Sequence, residues 1–292
     1  MKKILAVLLT VTFVAGLAGI ALAEDTYDAV KKKGVLVVGV KDASPGFGYI
    51  DPKTREIVGY DCDFAAYIAK KMGVKLELKG VTSAARIPQL QAGNVDLIAA
   101  TLTWTAERAK QVDFSYTYFL TGQKFLVKKG TVKSLADLEG KKLGTAKGTT
   151  SEQNASKALP KATILSFDDY PQAFLALQQG KVVAVTTDES ILAGILGKAP
   201  NKDQYEIADI RISDEPYGLA IRKGNPKFLK FINDTLLEME KNGEAKKIWD
   251  KWFNPKSDQP MERGKFKITA DRKYGFFKLI FDRPSRRLVG AH

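Results

Sequence analysis

Threonines, an arginine and a helix start lie close together in Thr101-Leu102-Thr103-Trp104-Thr105-Ala106-Glu107-Arg108, directly after the apolar run from Val95 to Ala100. Hydroxyls at a strand tip, with a guanidinium in the first turn of the helix that follows, suit a small carboxylate. The first amides of a helix have no partner of their own and so attract anions, and arginine adds a planar two-pronged donor. This is chemistry for binding more than for catalysis. Arg108 also has a plainer use, an ion pair with Asp113 or another solvated carboxylate.

Hydrolytic and metal chemistry find little support in the residue types. The only histidine is the terminal His292, which leaves no Ser-His-Asp or Cys-His arrangement, and no histidine cluster or cysteine pair suggests a metal site. Cys62 is the single cysteine and can form no internal disulfide; it reads as a small core side chain. Met1-Lys2-Lys3, the apolar stretch Ile4 to Leu22 and the Ala21-Leu22-Ala23 ending read as a secretory signal peptide cut before Glu24, with an uncleaved membrane anchor as the alternative. Without Lys2 and Lys3 the 46 basic residues fall to 44 against 33 acidic ones, a net charge of +11. On an exported chain with no arginine-rich block, that excess steers anionic ligands; a nucleic-acid partner is not expected.

The elements that would position this chemistry alternate between strand and helix. Val35 to Val40 has the composition of a buried strand, and Asp61 to Met72 carries Phe64, Tyr67, Ile68 and Met72 at helical spacing with Asp61 placed to cap. A strand at Leu76 to Leu78, a helix from Ser83 to Gln91 and a strand from Val95 to Ala100 follow, which implies right-handed parallel βαβ units. Further on, Thr149 and Glu152 have capping-box spacing. Asn225-Pro226 opens a helix with an apolar stripe at Phe228, Leu229, Ile232, Leu236 and Met239, and Trp249, Trp252 and Phe253 finish a last one.

Architecture is most legible in an internal echo. Leu90-Gln91-Ala92-Gly93-Asn94-Val95 resembles Leu177-Gln178-Gln179-Gly180-Lys181-Val182 at an offset of 87 residues, each a helix end, a glycine cap and a strand entry. The same offset sets Asp188 opposite Thr101 at the carboxyl end of the matching strand, where ligands of open parallel sheets sit. Asp188 can equally be an ordinary cap of the helix containing Ile191 and Leu192. Roughly 270 residues beyond the leader suit two α/β lobes. The expected division is a signal peptide at 1–23, a first lobe at 24–121 and 217–292, and a second lobe at 122–216. The chain would cross between them near Thr121-Gly122 and Glu215-Pro216-Tyr217, forming a two-segment hinge.

These features, with Gly59-Tyr60-Asp61-Cys62-Asp63, Val112-Asp113-Phe114-Ser115, Gly148-Thr149-Thr150 and Tyr217-Gly218, make the chain resemble the family 3 extracellular solute-binding proteins of polar amino-acid ABC importers. The resemblance runs from about Val35 to Phe253 and implies the type II periplasmic binding fold: two lobes, each a mostly parallel sheet flanked by helices. It implies that Arg108, Thr103 and the helix start at Thr149 and Thr150 receive the ligand α-carboxylate, and that Asp188 and Thr101 receive its α-ammonium. Arg86, within Thr82-Ser83-Ala84-Ala85-Arg86, resembles the arginine of aspartate/glutamate-binding members. Ser83 stands where glutamine-type binders have an aromatic platform, and Tyr170 resembles a tyrosine facing the ligand in some binders of acidic amino acids.

Lys41, just beyond the first strand, adds a second cation; the bland alternative for Lys41 and Arg86 is surface exposure beside the cleft. Trp104 is either packing or pocket wall, and the segment after Phe253, with Phe266, Tyr274, Phe276, Phe277, Arg286 and Arg287, is expected to strap onto the first lobe. The expected function is a monomeric periplasmic protein that binds glutamate or aspartate and delivers it to an ABC permease in the inner membrane, with no cofactor, metal or catalytic residue. The alternatives are a cyclohexadienyl dehydratase on the same fold, with Asp188 or Glu189 as general acid, and a sensory binding module.

Overall fold

The computed structural model describes residues 24–270, so the expected signal peptide and the residues from 271 onward lie outside it. The elements are α1 (Thr26–Lys33), β1 (Val35–Val40), β2 (Ala43–Ser44), β3 (Gly48–Ile50), β4 (Ile57–Val58), α2 (Tyr60–Met72), β5 (Lys75–Gly80), α3 (Arg86–Gln91), β6 (Leu97–Ala99), α4 (Ala106–Ala109) and β7 (Val112–Lys128). They continue through β8 (Lys142–Ala146), α5 (Thr150–Ala158), β9 (Thr163–Phe167), α6 (Tyr170–Gln178), β10 (Ala184–Asp188), α7 (Glu189–Lys198), β11 (Tyr205–Arg222), α8 (Pro226–Lys241) and α9 (Glu244–Phe253). Among the described residues, no helix is long and apolar enough to cross a membrane.

Eight strands join in the order β5-β1-β6-β11-β7-β10-β8-β9. Parallel triplets lie at the two ends, and the long antiparallel pair β7 and β11 runs between them. At about 3.3 Å per residue, strands of 17 and 18 residues reach across both halves of the molecule. The two crossing points read from the sequence are neighbours here: Thr121 pairs with Glu215, Gly122 with Asp214 and Leu120 with Pro216.

Local sequence accounts for the flanking helices. α2 buries Phe64, Ala65, Ile68, Ala69 and Met72, residues three and four apart, and ends where Gly73 adopts φ 70° and closes onto the Ala69 and Lys70 carbonyls. α8 buries Phe228, Ile232, Leu236 and Met239, with Leu229 only half-buried at the edge of the stripe. Each such side chain contributes about 1.5–3 kcal/mol on burial. The echoed turns match in shape, since Gly93 and Gly180 adopt φ 75° and 71° after α3 and α6.

Several boundaries move. α3 begins at Arg86 rather than Ser83, and β6 spans Leu97–Ala99. Asp61 is not a cap: α2 starts one residue earlier, and the buried Asp61 carboxylate instead accepts from the Thr101 amide at 2.9 Å and the Tyr118 hydroxyl at 2.6 Å. Thr149 caps α5 by accepting from the Glu152 amide, but Glu152 reaches back to the Gly148 amide, one residue before the cap. The segment after α9 buries Phe266 and Ile268 and ties Arg263 to Glu240 at 2.5 Å, as a strap on the first half would. It also reaches the second half, where Asp258 pairs with Lys198 at 2.5 Å and Gln259 donates to the Ser190 carbonyl.

Candidate functional site

The site grows from the strand ends. After β6 the chain turns at Thr101, a β-branched residue held at φ 46°, and Thr103 bridges to Tyr217 of β11. Two buried groups hold the Thr101 peptide in this uncommon conformation: Asp61 accepts from its amide, and Arg86 Nη1 donates to its carbonyl at 2.9 Å. Thr105 then caps α4 by accepting from the Arg108 amide at 3.1 Å. The Arg108 side chain folds back, Nη1 donating to the Thr103 carbonyl at 2.9 Å and Nη2 across to the Gly148 carbonyl at 3.2 Å. Asp113 pairs with Lys223 instead, which removes the plainer use of Arg108. Burial, then the charge of Arg86, lowers Arg108 to about 10, so it remains a cation at neutral pH.

Lys41 and Arg86 are not surface groups; they are 1% and 3% exposed. Arg86 donates through Nε to the Ser83 carbonyl and through Nη1 to those of Ala100 and Thr101, all at 2.9 Å. Lys41 donates to the Val81 carbonyl at 3.2 Å, and burial followed by repulsion from Arg86 lowers it to about 8. Two arginines and a lysine thus lie within electrostatic reach of one another, largely removed from water.

Facing them are two carboxylates. Asp188 ends β10 at the cap position of α7 yet makes no cap bond. Its Oδ2 accepts from the Tyr217 hydroxyl, while Oδ1 is buried with no hydrogen-bond partner among the described residues. Burial, then the neighbouring charge of Glu215, raises it to about 8. Glu215, 1% exposed, accepts on Oε2 from the hydroxyls of Thr103 and Thr150, both at 2.7 Å. Its Oε1 accepts from Ser213 at 2.5 Å and Asn154 at 3.0 Å.

The remaining expected residues sort by what their polar atoms do. Tyr170, the first residue of α6, is buried, and its hydroxyl meets Thr187 and Ser151; burial followed by the charge of Asp188 raises it to about 12. Ser83 is buried beside Arg86. The Thr149 hydroxyl donates to the Ala146 carbonyl and accepts from the Glu152 amide, so it has no proton left for a carboxylate. Trp104 is 38% exposed. Gly148 lies so close to Ala84 that a Cβ there would sit 2.8 Å from the Ala84 Cα, bringing the start of α5 against the Ser83–Arg86 turn.

Sequence reasoning missed Glu215, Tyr217 and Asp61 as members of this cluster. Glu215 is legible only as part of a crossing, and Tyr217 as that and as part of the Tyr217-Gly218 motif. An acid lodged in a strand that must pass the cleft floor is the signal that marks Glu215.

The family model for bacterial extracellular solute-binding proteins, family 3, matches residues 36–255. A glutamine-binding protein of an ABC transporter in Bacillus subtilis is 43% identical over 235 residues, covering 79% of this chain and 85% of that protein. A glutamate/aspartate import solute-binding protein of Salmonella typhimurium is 38% identical over 269 residues, covering 85% and 89%. Among solved structures, an ancestral arginine-binding protein bound to glutamine superimposes with a TM-score of 0.72 at 44% identity, covering 75% of this chain and 98% of that one.

Proposed function

The chain belongs to the bacterial extracellular solute-binding proteins, family 3, as an amino-acid-binding component of an ABC transporter, and we propose that its ligand is L-glutamate or L-aspartate. One observation carries the acidic assignment: Lys41 is buried beside Arg86 and, among the described residues, has a single carbonyl as its acceptor. The charges of Asp42 and Asp169 offset Lys41 less than burial and Arg86 oppose it, and a side-chain carboxylate supplies the further counter-charge that an amide does not.

In this reading Arg108, the Thr103 backbone and the start of α5 at Thr149 and Thr150 hold the α-carboxylate. Asp188 receives the α-ammonium near Thr101, while Arg86, Lys41, Ser83 and Tyr170 face the side chain. Within the described residues the lobes comprise 24–121 with 217–270 and 122–216, and they close by a hinge at Thr121-Gly122 and Glu215-Pro216-Tyr217, where Thr121 pairs with Glu215 and Leu120 with Pro216. The protein works as a monomer outside the cytoplasmic membrane, behind a cleaved signal peptide, and passes its ligand to the permease. Binding without chemistry fits Glu189, an acid that a dehydratase would recruit, since it is ion-paired with Lys124 at 2.9 Å.

A glutamine ligand is the second reading. The 43% identical glutamine-binding protein of Bacillus subtilis and the ancestral arginine-binding protein bound to glutamine support it. Calorimetry of refolded, ligand-stripped protein against glutamate, aspartate, glutamine and arginine decides between the two. Tighter binding of glutamate or aspartate is expected, and tighter binding of glutamine overturns the acidic assignment.

A further inference from the structure

Glu215 has four lone-pair positions, and four side chains fill them: Thr103 and Thr150 on Oε2, Ser213 and Asn154 on Oε1. A carboxylate has no proton to give, so each threonine hydroxyl must be the donor. A hydroxyl carries one proton and two lone pairs. With that proton directed at Glu215, the Oγ1 atoms of Thr103 and Thr150 can offer anything else only lone pairs.

We propose that Glu215 is a positioning residue for amino-acid binding: by taking the hydroxyl protons of Thr103 and Thr150, it turns their lone pairs toward the α-ammonium received by Asp188. The inference rests on the amino-acid-binding reading, but not on which side chain the ligand carries.

Topology places the three acceptors near one another. Thr103 bridges to Tyr217, the Tyr217 hydroxyl donates to Asp188, and Glu215 lies two residues before Tyr217 on the same strand. The count also matches. An ammonium has three protons, and the acceptors are Thr103 Oγ1, Thr150 Oγ1 and the Asp188 Oδ1 that is buried without a partner among the described residues. Thr103 precedes β7 and Thr150 opens α5, so a shared bond to one oxygen also fixes the spacing between the two sides of the cleft. On this assignment the Thr103 hydroxyl serves the ammonium, and the α-carboxylate is left to Arg108 and backbone amides.

The test is a mutant cycle read by calorimetry with glutamate and glutamine as probes. In Glu215→Gln the amide oxygen takes the Oε1 place, because Asn154 Nδ2 is held as a donor there by its second bond to Gln123 Oε1, so the new NH2 faces Thr103 and Thr150 and turns their protons into the cleft. Affinity for both probes is expected to fall about tenfold or more. Added to a Thr103→Val/Thr150→Val background, the same substitution should cost less than about twofold, because Glu215 acts through those hydroxyls.

Proton release supplies a readout that a structural role would not move. Asp188 is faced by Glu215, Tyr217, Tyr170, Arg86 and Arg108, and the charge of Glu215 favours its protonated form in the ligand-free cleft. Wild-type protein should release protons on binding at pH 7, measured in two buffers of different ionisation enthalpy, and Glu215→Gln should release fewer.

Wild-type affinity in Glu215→Gln overturns the inference, as does an undiminished loss in the double-valine background. If Glu215→Gln folds poorly, Thr103→Val and Thr150→Val singly must each weaken both probes several-fold, and wild-type affinity in either is fatal. A wild-type protein that binds glutamine in preference to glutamate sinks the acidic assignment alone; one that binds no α-amino acid sinks both.

Discussion

The Tyr217 hydroxyl donates to Oδ2 of Asp188 and leaves Oδ1 of the same carboxylate buried without a hydrogen-bond partner among the described residues. One oxygen is thereby fixed by the fold, and the other is the acceptor assigned above to the proposed ligand. Tyr217 lies on β11, at the crossing between the two halves, and Asp188 ends β10, so the long strand orients the carboxylate proposed to receive the ligand.

Arg108→Ala and Asp188→Ala are each expected to reduce affinity for every amino acid by more than about a hundredfold, because removing one member of a buried charge pair costs ~3–5 kcal/mol. Circular dichroism should show an intact fold. Near-native affinity in either variant would remove that residue from the site.

Selectivity should separate Lys41 from Arg86. Lys41 has one carbonyl acceptor, so Lys41→Met is expected to weaken glutamate and aspartate about tenfold relative to glutamine, or ~1.4 kcal/mol. Arg86 also holds the carbonyls of Ser83, Ala100 and Thr101, so Arg86→Ala should weaken all ligands. Titration of both variants with the three amino acids checks this, and an unchanged preference in Lys41→Met counts against an acidic ligand.

Thermal stability of the ligand-free protein should fall as pH rises from about 4 to 8. Asp188 and Asp61 have folded-state values of about 8 and about 7, above their unfolded value of 3.8, both raised first by burial. The folded state therefore binds more protons across that window. The stability these groups contribute is fully present below the unfolded value and is lost as pH rises through the folded one. Asp188→Asn should flatten the slope in melting curves, and an identical slope would show that Asp188 titrates elsewhere.

Thr101 should reverse the usual order of alanine and glycine. At φ 46° a side chain carries a strain of ~1–2 kcal/mol that glycine escapes, so Thr101→Gly is expected to be more stable than Thr101→Ala by about 1 kcal/mol. Denaturant titration of the two variants reads this directly. A more stable alanine variant would mean that the conformation relaxes in solution.

Gly194 probes closure. It lies inside α7, where alanine improves helix propensity by about 1 kcal/mol, but its added Cβ would sit 2.6 Å from the Pro45 carbonyl oxygen of the other half. Gly194→Ala is therefore expected to leave ligand-free stability unchanged or higher while weakening ligand about tenfold, by disfavouring the closed arrangement. Unaltered affinity would mean that the bound state does not bring α7 and Pro45 together.

Legible in the sequence alone are the alternation of strands and helices, the matched turns at Gly93 and Gly180, and the threonines and helix start that lead to Arg108. Those features are written within a few residues, through periodicity, caps and glycine conformation, and the chain obeys them wherever it lies. What each polar atom meets depends on contacts between distant parts of the chain. Thr103 and Glu215 are 112 residues apart and Asp61 and Thr101 are 40 apart, so neither pair has a local signature. Asp61 looked like a cap because carboxylates favour helix starts; burial against Tyr118 and the Thr101 amide gave it another use. Arg86 was legible as a cation of the cleft, but not as the support of three carbonyls, because desolvation makes a buried guanidinium bond whatever acceptors the neighbouring strand end presents.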